Sequence, residues 1–195
     1  MLKEGTFTVR TAHGLDDQVR DVLVGLGSDD TINGFGGPDI LLGMGGHDVI
    51  NGGFGDDFIN GGAGWDTLTG GAGRDNFFFS KHESGSHFAT ADVITDFNDN
   101  EDRISLGSYT GKSSEYMETM VRDSGNHEQN FDLARSFAAH HIGEDGIRVV
   151  FASDHHDGYL FADIDGNGVM DTGIELKGLN DLTDFSWRQL GLPFG

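Results

Sequence analysis

Residues 25–78, written in nines, read GLGSDDTIN, GFGGPDILL, GMGGHDVIN, GGFGDDFIN, GGAGWDTLT and GGAGRDNFF. Gly stands at position one of every copy, and Asp stands at position six: Asp30, Asp39, Asp48, Asp57, Asp66 and Asp75. Position eight is apolar throughout, as Ile32, Leu41, Ile50, Ile59, Leu68 and Phe77. A degenerate copy precedes these, with Asp21 and Leu23 in register and its glycines missing.

A fixed period of this kind marks a stacked repeat. Six polar, Gly-rich residues turn the chain, and three residues beginning with Thr31, Ile40, Val49, Phe58, Thr67 or Asn76 run extended. Position eight then points inward by the two-residue alternation of a strand. Two units make one coil. Stacked coils place Ile32, Ile50 and Leu68 in one inner row and Leu41, Ile59 and Phe77 in another, with backbone hydrogen bonds between successive coils. The glycines allow positive-φ and close-approach conformations in the turns. Leu26, Phe35 and Met44 break the pattern at position two, as do Ser28 at position four and Pro38 at a variable position. These departures are expected to strain the turn more than to disturb the carboxylate.

The same stacking sets Asp30 over Asp48, Asp39 over Asp57, Asp48 over Asp66 and Asp57 over Asp75. Such carboxylate rows repel unless a cation lies between them. Calcium fits, because it accepts six or more oxygens in flexible geometry, from Asp side chains and from carbonyls exposed by Gly turns. Zinc and copper find none of their preferred nitrogen or sulfur ligands there. The expected metal ligands are the six repeat Asp residues together with turn residues Gly43, Gly45, Gly52, Gly61, Gly62 and Gly64, and Asp21 as a further candidate. About four or more Ca2+ ions are expected. Residues 24–78 hold eight Asp, no Glu and a single base, Arg74, so bound calcium would bring the block close to neutrality. Metal-binding free energy is then also folding free energy, and the calcium-free stack is expected to be unfolded or loose.

The whole chain of 195 residues carries 12 Lys and Arg against 33 Asp and Glu, a net charge of −21. That charge repels nucleic-acid phosphate and anionic lipid, so neither is an expected partner. Of the acids 25 are Asp and 8 are Glu, which favours turns and short-armed oxygen ligands over solvated helix. The absence of Cys removes disulfides, thiolate zinc sites and cysteine nucleophiles. No apolar run reaches the length of a transmembrane helix, and residues 1–13 lack a signal-peptide core, so any export is expected to use another address.

The motif GGxGxDxUx, with U apolar, resembles the RTX (repeats-in-toxin) calcium-binding β-roll over about residues 16–78. That resemblance implies calcium held between turns on both edges of a parallel β-roll, by the motif Asp and turn carbonyls. Downstream, Asp92-Val-Ile-Thr-Asp-Phe97 followed by Asp102-Arg-Ile-Ser-Leu106 is similar to the C-terminal region of serralysin-type secreted metalloproteases and to the R-modules of mannuronan C5-epimerases. It implies an antiparallel cap over the open end of the roll, covering Phe77, Phe78 and Phe79. The expected fold is therefore all-β: a parallel β-roll of nonapeptide repeats with an antiparallel β cap and one helix. The expected division is an N-terminal strand and degenerate repeat at 1–24, the roll at 25–78, and a capping, secretion-associated region at 79–195.

In that last region, 92–97 and 103–106 read as strands around a turn, and 107–126 is polar and turn-rich. Phe131, Ala134, Phe137, Ala138 and Ile142 recur at helical spacing within 128–142. Strands follow at 147–152, 159–163 and 173–178, with a short strand or helix around 183–190. The segment 163–171 offers Asp163, Asp165, Asn167 and Asp171 at EF-hand positions, but Ile174 stands at position twelve and strands flank it. It reads either as a further calcium loop or as an Asn/Gly hairpin turn.

No zincin, serine-hydrolase or phosphate-loop motif is present, and His82-Glu83 with His87 misses the zincin spacing by one residue. The pairs His140-His141 and His155-His156 could converge on a transition-metal or acid–base site, or simply lie on the surface. The leading expectation is a non-catalytic calcium-binding RTX module, secreted or cell-surface associated. By the resemblance, it would leave through the type I secretion machinery and fold on extracellular calcium. The alternatives are a module binding an anionic, alginate-like polysaccharide within an epimerase or lyase, an adhesin or matrix segment, and a hydrolase with its site in 108–160.

Overall fold

The computed structural model describes residues 8–10, 19–143, 146–179 and 185–190. Fourteen strands are β1 (Thr8–Arg10), β2 (Val22–Val24), β3 (Thr31–Gly36), β4 (Ile40–Leu42), β5 (Val49–Phe54), β6 (Phe58–Asn60), β7 (Thr67–Ala72), β8 (Asn76–Phe79), β9 (Asp92–Ile94), β10 (Arg103–Leu106), β11 (Tyr116–Met120), β12 (Val149–Ser153), β13 (Asp157–Ala162) and β14 (Thr172–Lys177). One α-helix, α1, spans His127–His141.

The nonapeptides fold as their period requires. Odd-numbered strands β1-β3-β5-β7-β9 form one parallel sheet and β2-β4-β6-β8-β10 form the other, so successive repeats alternate between the two faces of a roll. Ile32 pairs with Ile50 and Ile50 with Leu68, while Leu41 pairs with Ile59 and Ile59 with Phe77. All six side chains are fully buried. Each contributes about 1.5–3 kcal/mol of burial free energy. The degenerate copy belongs to the roll as well, since Leu23 pairs with Leu41 and is buried.

The segment 92–106 departs from the expected antiparallel cap. β9 pairs in parallel with β7, and β10 pairs in parallel with β8, so these strands are a further coil of the roll. Ile94 stacks on Leu68 and Ile104 on Phe77, both completely buried. Their Asp-x-apolar pattern repeats positions six to eight of the nonapeptide, which is why they can take its place. Phe77 and Phe79 lie inside, whereas Phe78 faces outward and packs on Phe58 at 5.7 Å.

The antiparallel part begins at β14. The first sheet continues past β9 as β14-β13-β12-β11, with β13 antiparallel to both neighbours and β11 parallel to β12. One face of this extension closes the roll through Phe97, Val149, Phe151, Leu160, Leu176 and Phe185. The other face packs under α1 through Phe131, Ala134, Ala138, Val150, Tyr159 and Phe161. β12 and β13 are consequently buried at every residue, while the short strands of the roll alternate. Asn126 caps α1 by accepting from the Gln129 amide, and its helical span matches the expected spacing. The strand β11 within the polar segment was not legible, because its residues lie half exposed at a sheet edge and only pairing with β12 defines it. Part of the expected element at 183–190 lies outside the described residues, and Trp187–Gln189 forms a 3-10 turn. Among the described residues, no helix is long and apolar enough to cross a membrane.

Candidate metal centre

The repeat carboxylates form two buried rows, one along each edge of the roll. One row holds Asp30, Asp48, Asp66 and Asp92; the other holds Asp21, Asp39, Asp57, Asp75 and Asp102. Within a row each Oδ1 accepts the backbone N–H of the Asp one coil earlier. These bonds measure 2.7 Å from Asp30 to Asp48, 2.8 Å from Asp39 to Asp57, 2.8 Å from Asp48 to Asp66 and 2.9 Å from Asp57 to Asp75. The rows extend past the nonapeptides at both ends. Asp21 donates to Asp39, Asp66 to Asp92 and Asp75 to Asp102.

The second oxygens behave differently. Oδ2 of Asp48, Asp57, Asp66, Asp75 and Asp92 is buried and has no hydrogen-bond partner. A buried carboxylate oxygen without a partner is costly unless a cation satisfies it. Asp30 and Asp102, each at one end of a row, differ, because Oδ2 of Asp30 accepts from Leu26 N and Oδ2 of Asp102 from Asn98 N.

The position-one glycines explain themselves here. A Cβ on Gly25 would lie 2.5 Å from the Gly43 carbonyl oxygen and 2.7 Å from Asp30 Oδ2. Gly34, Gly43 and Gly52 each stand between the Oδ2 of their own repeat and the carbonyl of Gly52, Gly61 or Gly70 in the next coil. Any side chain would fill the space onto which these oxygens converge. Gly61 and Gly70 thus present carbonyls beside the unpartnered Oδ2 atoms of Asp48 and Asp57, and Gly43 and Gly52 present theirs beside Oδ2 of Asp30 and Asp39. Gly45, Gly62 and Gly64 serve the turn backbone: Gly62 and Gly64 adopt φ of 95° and 150°, and Gly45 bridges Ala63. At position two the same positive φ is forced on Phe35 (71°) and Met44 (80°), the residues whose type strains the turn.

Burial dominates the electrostatics of the rows. It pushes the carboxyl of Asp48 up to about 6, those of Asp57, Asp66 and Asp75 up to about 7, and that of Asp92 up to about 8. Neighbouring carboxylates act in the same direction, while the N–H bonds along each row pull against it. An array this averse to its own ionisation is suited to a hard dication that accepts oxygen ligands.

Four acids that follow the nonapeptides stand at the far ends of the rows. Asp92 and Asp102 follow Asp66 and Asp75 after 26 and 27 residues. Their legible signal is Asp-Val-Ile and Asp-Arg-Ile, the same Asp-x-apolar triplet. Glu83 lies beside Asp66 and Asp92, and its Oε2 accepts from Ser80 N at 2.6 Å. Asp96 closes the last turn by accepting from Gly70 N and Gly71 N.

The loop 163–171 joins β13 to β14. Oxygens of Asp163, Asp165 and Asp171 lie within 4.8 Å of one another. Asp163 accepts from the amides of Gly166, Asn167 and Gly168, and Asp171 from those of Ile164 and Asp165. Asn167 bonds Asp165 and the Val169 amide, and the Lys81 ammonium pairs with Asp165 and Asp171. Both oxygens of each of its carboxylates are therefore already met by N–H donors or the lysine, whereas Oδ2 of Asp48, Asp57, Asp66, Asp75 and Asp92 in the rows is not.

The histidine pairs do not meet. His140 and His141 end α1, whereas His156 lies beside Asp123 at the opposite end, roughly 20 Å away along the helix.

Comparison with known proteins agrees with this geometry. The model of the RTX calcium-binding nonapeptide repeat matches residues 19–50 and 42–77. No curated protein matches the chain. Among solved structures, the AlgE6R2 subunit of the Azotobacter vinelandii mannuronan C5-epimerase is similar with a TM-score of 0.56 and 22% identity, over 89% of this chain and 94% of that one. The AlgE6R3 subunit of the same epimerase gives a TM-score of 0.39 and 26% identity, over 88% of this chain and 77% of that one. The first likeness establishes a shared fold. Residues 19–77 are an array of RTX calcium-binding nonapeptide repeats, built into a β-roll with an R-module-like architecture.

Proposed function

We propose that this chain is a non-catalytic, calcium-loaded module that folds when it meets extracellular calcium after type I secretion. The observation that carries this reading is the set of buried Oδ2 atoms of Asp48, Asp57, Asp66, Asp75 and Asp92, which accept no hydrogen bond along the two rows. Asp21, Asp39, Asp48, Asp57, Asp66, Asp75 and Asp92 would hold the ions, with Asp30, the carbonyls of Gly43, Gly52, Gly61 and Gly70, and Glu83 at the end of one row. Bound calcium supplies the positive charge that lets these carboxylates remain ionised inside the roll. Without it, repulsion along both rows keeps the chain open, and mass action by external calcium folds it.

The test is a calorimetric calcium titration with circular dichroism, on wild type and on the double variant Asp48→Ala, Asp66→Ala. Wild type should gain β structure on adding calcium and bind about four or more ions. The double variant should lose at least two of these sites. Equal folding in chelator and in calcium would refute the reading.

A second reading, a module for an anionic polysaccharide, is favoured by one surface. The outer face of β2-β4-β6-β8 exposes or half exposes Val22, Val24, Ile40, Leu42, Phe58 and Phe78. Arg20 and Arg74 line one groove beside it, and Arg74 and Arg103 line the next. The Arg103 guanidinium also donates to the Arg188 carbonyl, which fixes its position at this edge. Arg74 is the sole base of the repeats, so only folding assembles this row. Apolar rings flanked by guanidinium groups suit the faces and carboxylates of a uronate chain. Binding of a uronate oligomer in calcium, weakened by Arg74→Ala with Arg103→Ala, would support it, whereas binding indifferent to both changes would sink it.

A further inference from the structure

Away from the roll, the covered side of the cap sheet gathers ligand atoms of a different chemistry. His127 opens α1, Asp157 opens β13 and Glu175 lies on β14. One nitrogen or oxygen from each lies within 4.8 Å of the other two. Asp157 and Glu175 are only 5% and 4% exposed, while His127 is open to solvent. The set therefore has a buried floor of carboxylates and a solvent-facing imidazole.

An independent observation shows where the floor points. The Lys177 ammonium sits 2.7 Å from Glu175 Oε1 and 3.2 Å from Asp157 Oδ2. His127 Nδ1 lies 3.1 Å from the same Asp157 oxygen and 3.9 Å from the same Glu175 oxygen. Two nitrogen groups from separate elements thus converge on one pair of oxygens, and a cation already occupies the place between them. The floor is also held rigidly. Asp157 Oδ1 accepts from Gly178 N, and its own amide donates to Asp154, which further accepts from Asn130, the Tyr159 hydroxyl and the His156 amide. Such outer bonds orient ligands before a metal arrives. The N-terminus of α1 adds a favourable field for the carboxylates.

We propose that His127, Asp157 and Glu175 form a three-ligand site for a transition-metal dication, zinc foremost, with Lys177 holding the place of the ion in its absence. One imidazole with two carboxylates is a donor set that zinc takes and that calcium, an oxygen-seeking ion, does not prefer. The site is therefore chemically separate from the all-oxygen rows. Lys177 is partly exposed and can swing outward on its flexible stem as the dication displaces it. The open side beside His127 leaves a coordination position for water or a ligand.

The experiment keeps the protein saturated with calcium and measures zinc binding by competition with a chromophoric chelator. Cobalt(II) absorption reports the nitrogen ligand. Wild type should bind one zinc that excess calcium does not displace. His127→Ala should weaken binding by about tenfold or more, and Lys177→Met should strengthen it by about tenfold, because no ammonium has to leave. His127 is exposed, so circular dichroism should show an unchanged fold. The proposal is overturned if neither wild type nor Lys177→Met binds zinc. It is equally overturned if binding survives His127→Ala or is displaced by calcium, since the ion would then lie on the turn carboxylates.

Discussion

The roll and the cap share one continuous sheet, yet they are held together by different physics. In the roll, each short strand buries one side chain, such as Leu41 or Ile59, between two turns full of carboxylates. In the cap, β12 and β13 bury both faces, with Phe151 and Leu160 on one side and Tyr159 and Phe161 on the other. The roll core is thin because its turns are arranged for metal; the cap core is thick because it has no comparable rows. On the proposed reading, a calcium-dependent fold joins a metal-independent one across a single ladder, β7-β9-β14.

The largest expected effect comes from removing calcium. Hydrogen exchange followed by mass spectrometry should show amides of β3–β8 losing protection in chelator by orders of magnitude, with β12 and β13 retaining most of theirs. Uniform loss across both regions would mean that the cap has no stability of its own.

The next effects come from one substitution on each side. Phe161→Ala should cost about 3–5 kcal/mol in denaturant unfolding of the calcium-loaded protein, because a fully buried ring leaves a cavity. Gly43→Ala should do its damage through calcium instead, since its Cβ would fill the space beside Asp48 Oδ2 and the Gly61 carbonyl. Titration should find a site lost or severely weakened. An unchanged calcium isotherm for Gly43→Ala would remove the turn cradle from the account.

The two regions should also respond to pH with opposite sign. In the roll, burial raises Asp57, Asp66 and Asp75 to about 7 and Asp92 to about 8 in the folded, metal-free state, above their unfolded value of 3.8. The folded form then holds more protons than the unfolded one. This contribution is fully present below the unfolded value and is lost as pH rises through about 7 to 8. Each unit is worth about 1.4 kcal/mol per group. Circular dichroism in chelator should therefore find more roll structure at mildly acidic pH than above neutrality. In the cap, burial alone would raise Asp154, but bonds from Tyr159, the amides of Asp157 and His156, and Asn130 hold it below its ordinary value. Its contribution is present above the unfolded value and is lost as pH falls through the folded one. A metal-free roll that gains structure on alkalinisation would break the comparison.

The smallest expected effect is Met44→Gly. Met44 is 56% exposed with φ of 80°, so glycine should relieve strain of about 1 kcal/mol with little loss of burial. A slightly higher unfolding midpoint in calcium would register it.

The sequence made the roll legible because translation repeats every contact. Once Ile32 is known to stack on Ile50, the neighbours of Asp30, Gly25 and Thr31 follow by the same step of one coil. The helix at His127–His141 was legible for a similar reason, since its periodicity is local. Strand β11 was not, because Tyr116–Met120 has no inward face of its own until β12 lies beside it.

The sequence by itself therefore determined the coil, its two apolar rows and the carboxylates that accompany them. Only the tertiary structure decided where the repetition stops. A loop of residues 80–91 carries the chain out and back so that Asp92 and Asp102 rejoin rows their spacing had left. It also brought Arg103 to the edge where the repeat already aligns Arg20 with Arg74, and His127 to Asp157 and Glu175. The His127, Asp157 and Glu175 grouping joins residues tens of positions apart without a common period. Packing of α1 on the outer face of the cap sheet, rather than any local rule, sets their proximity.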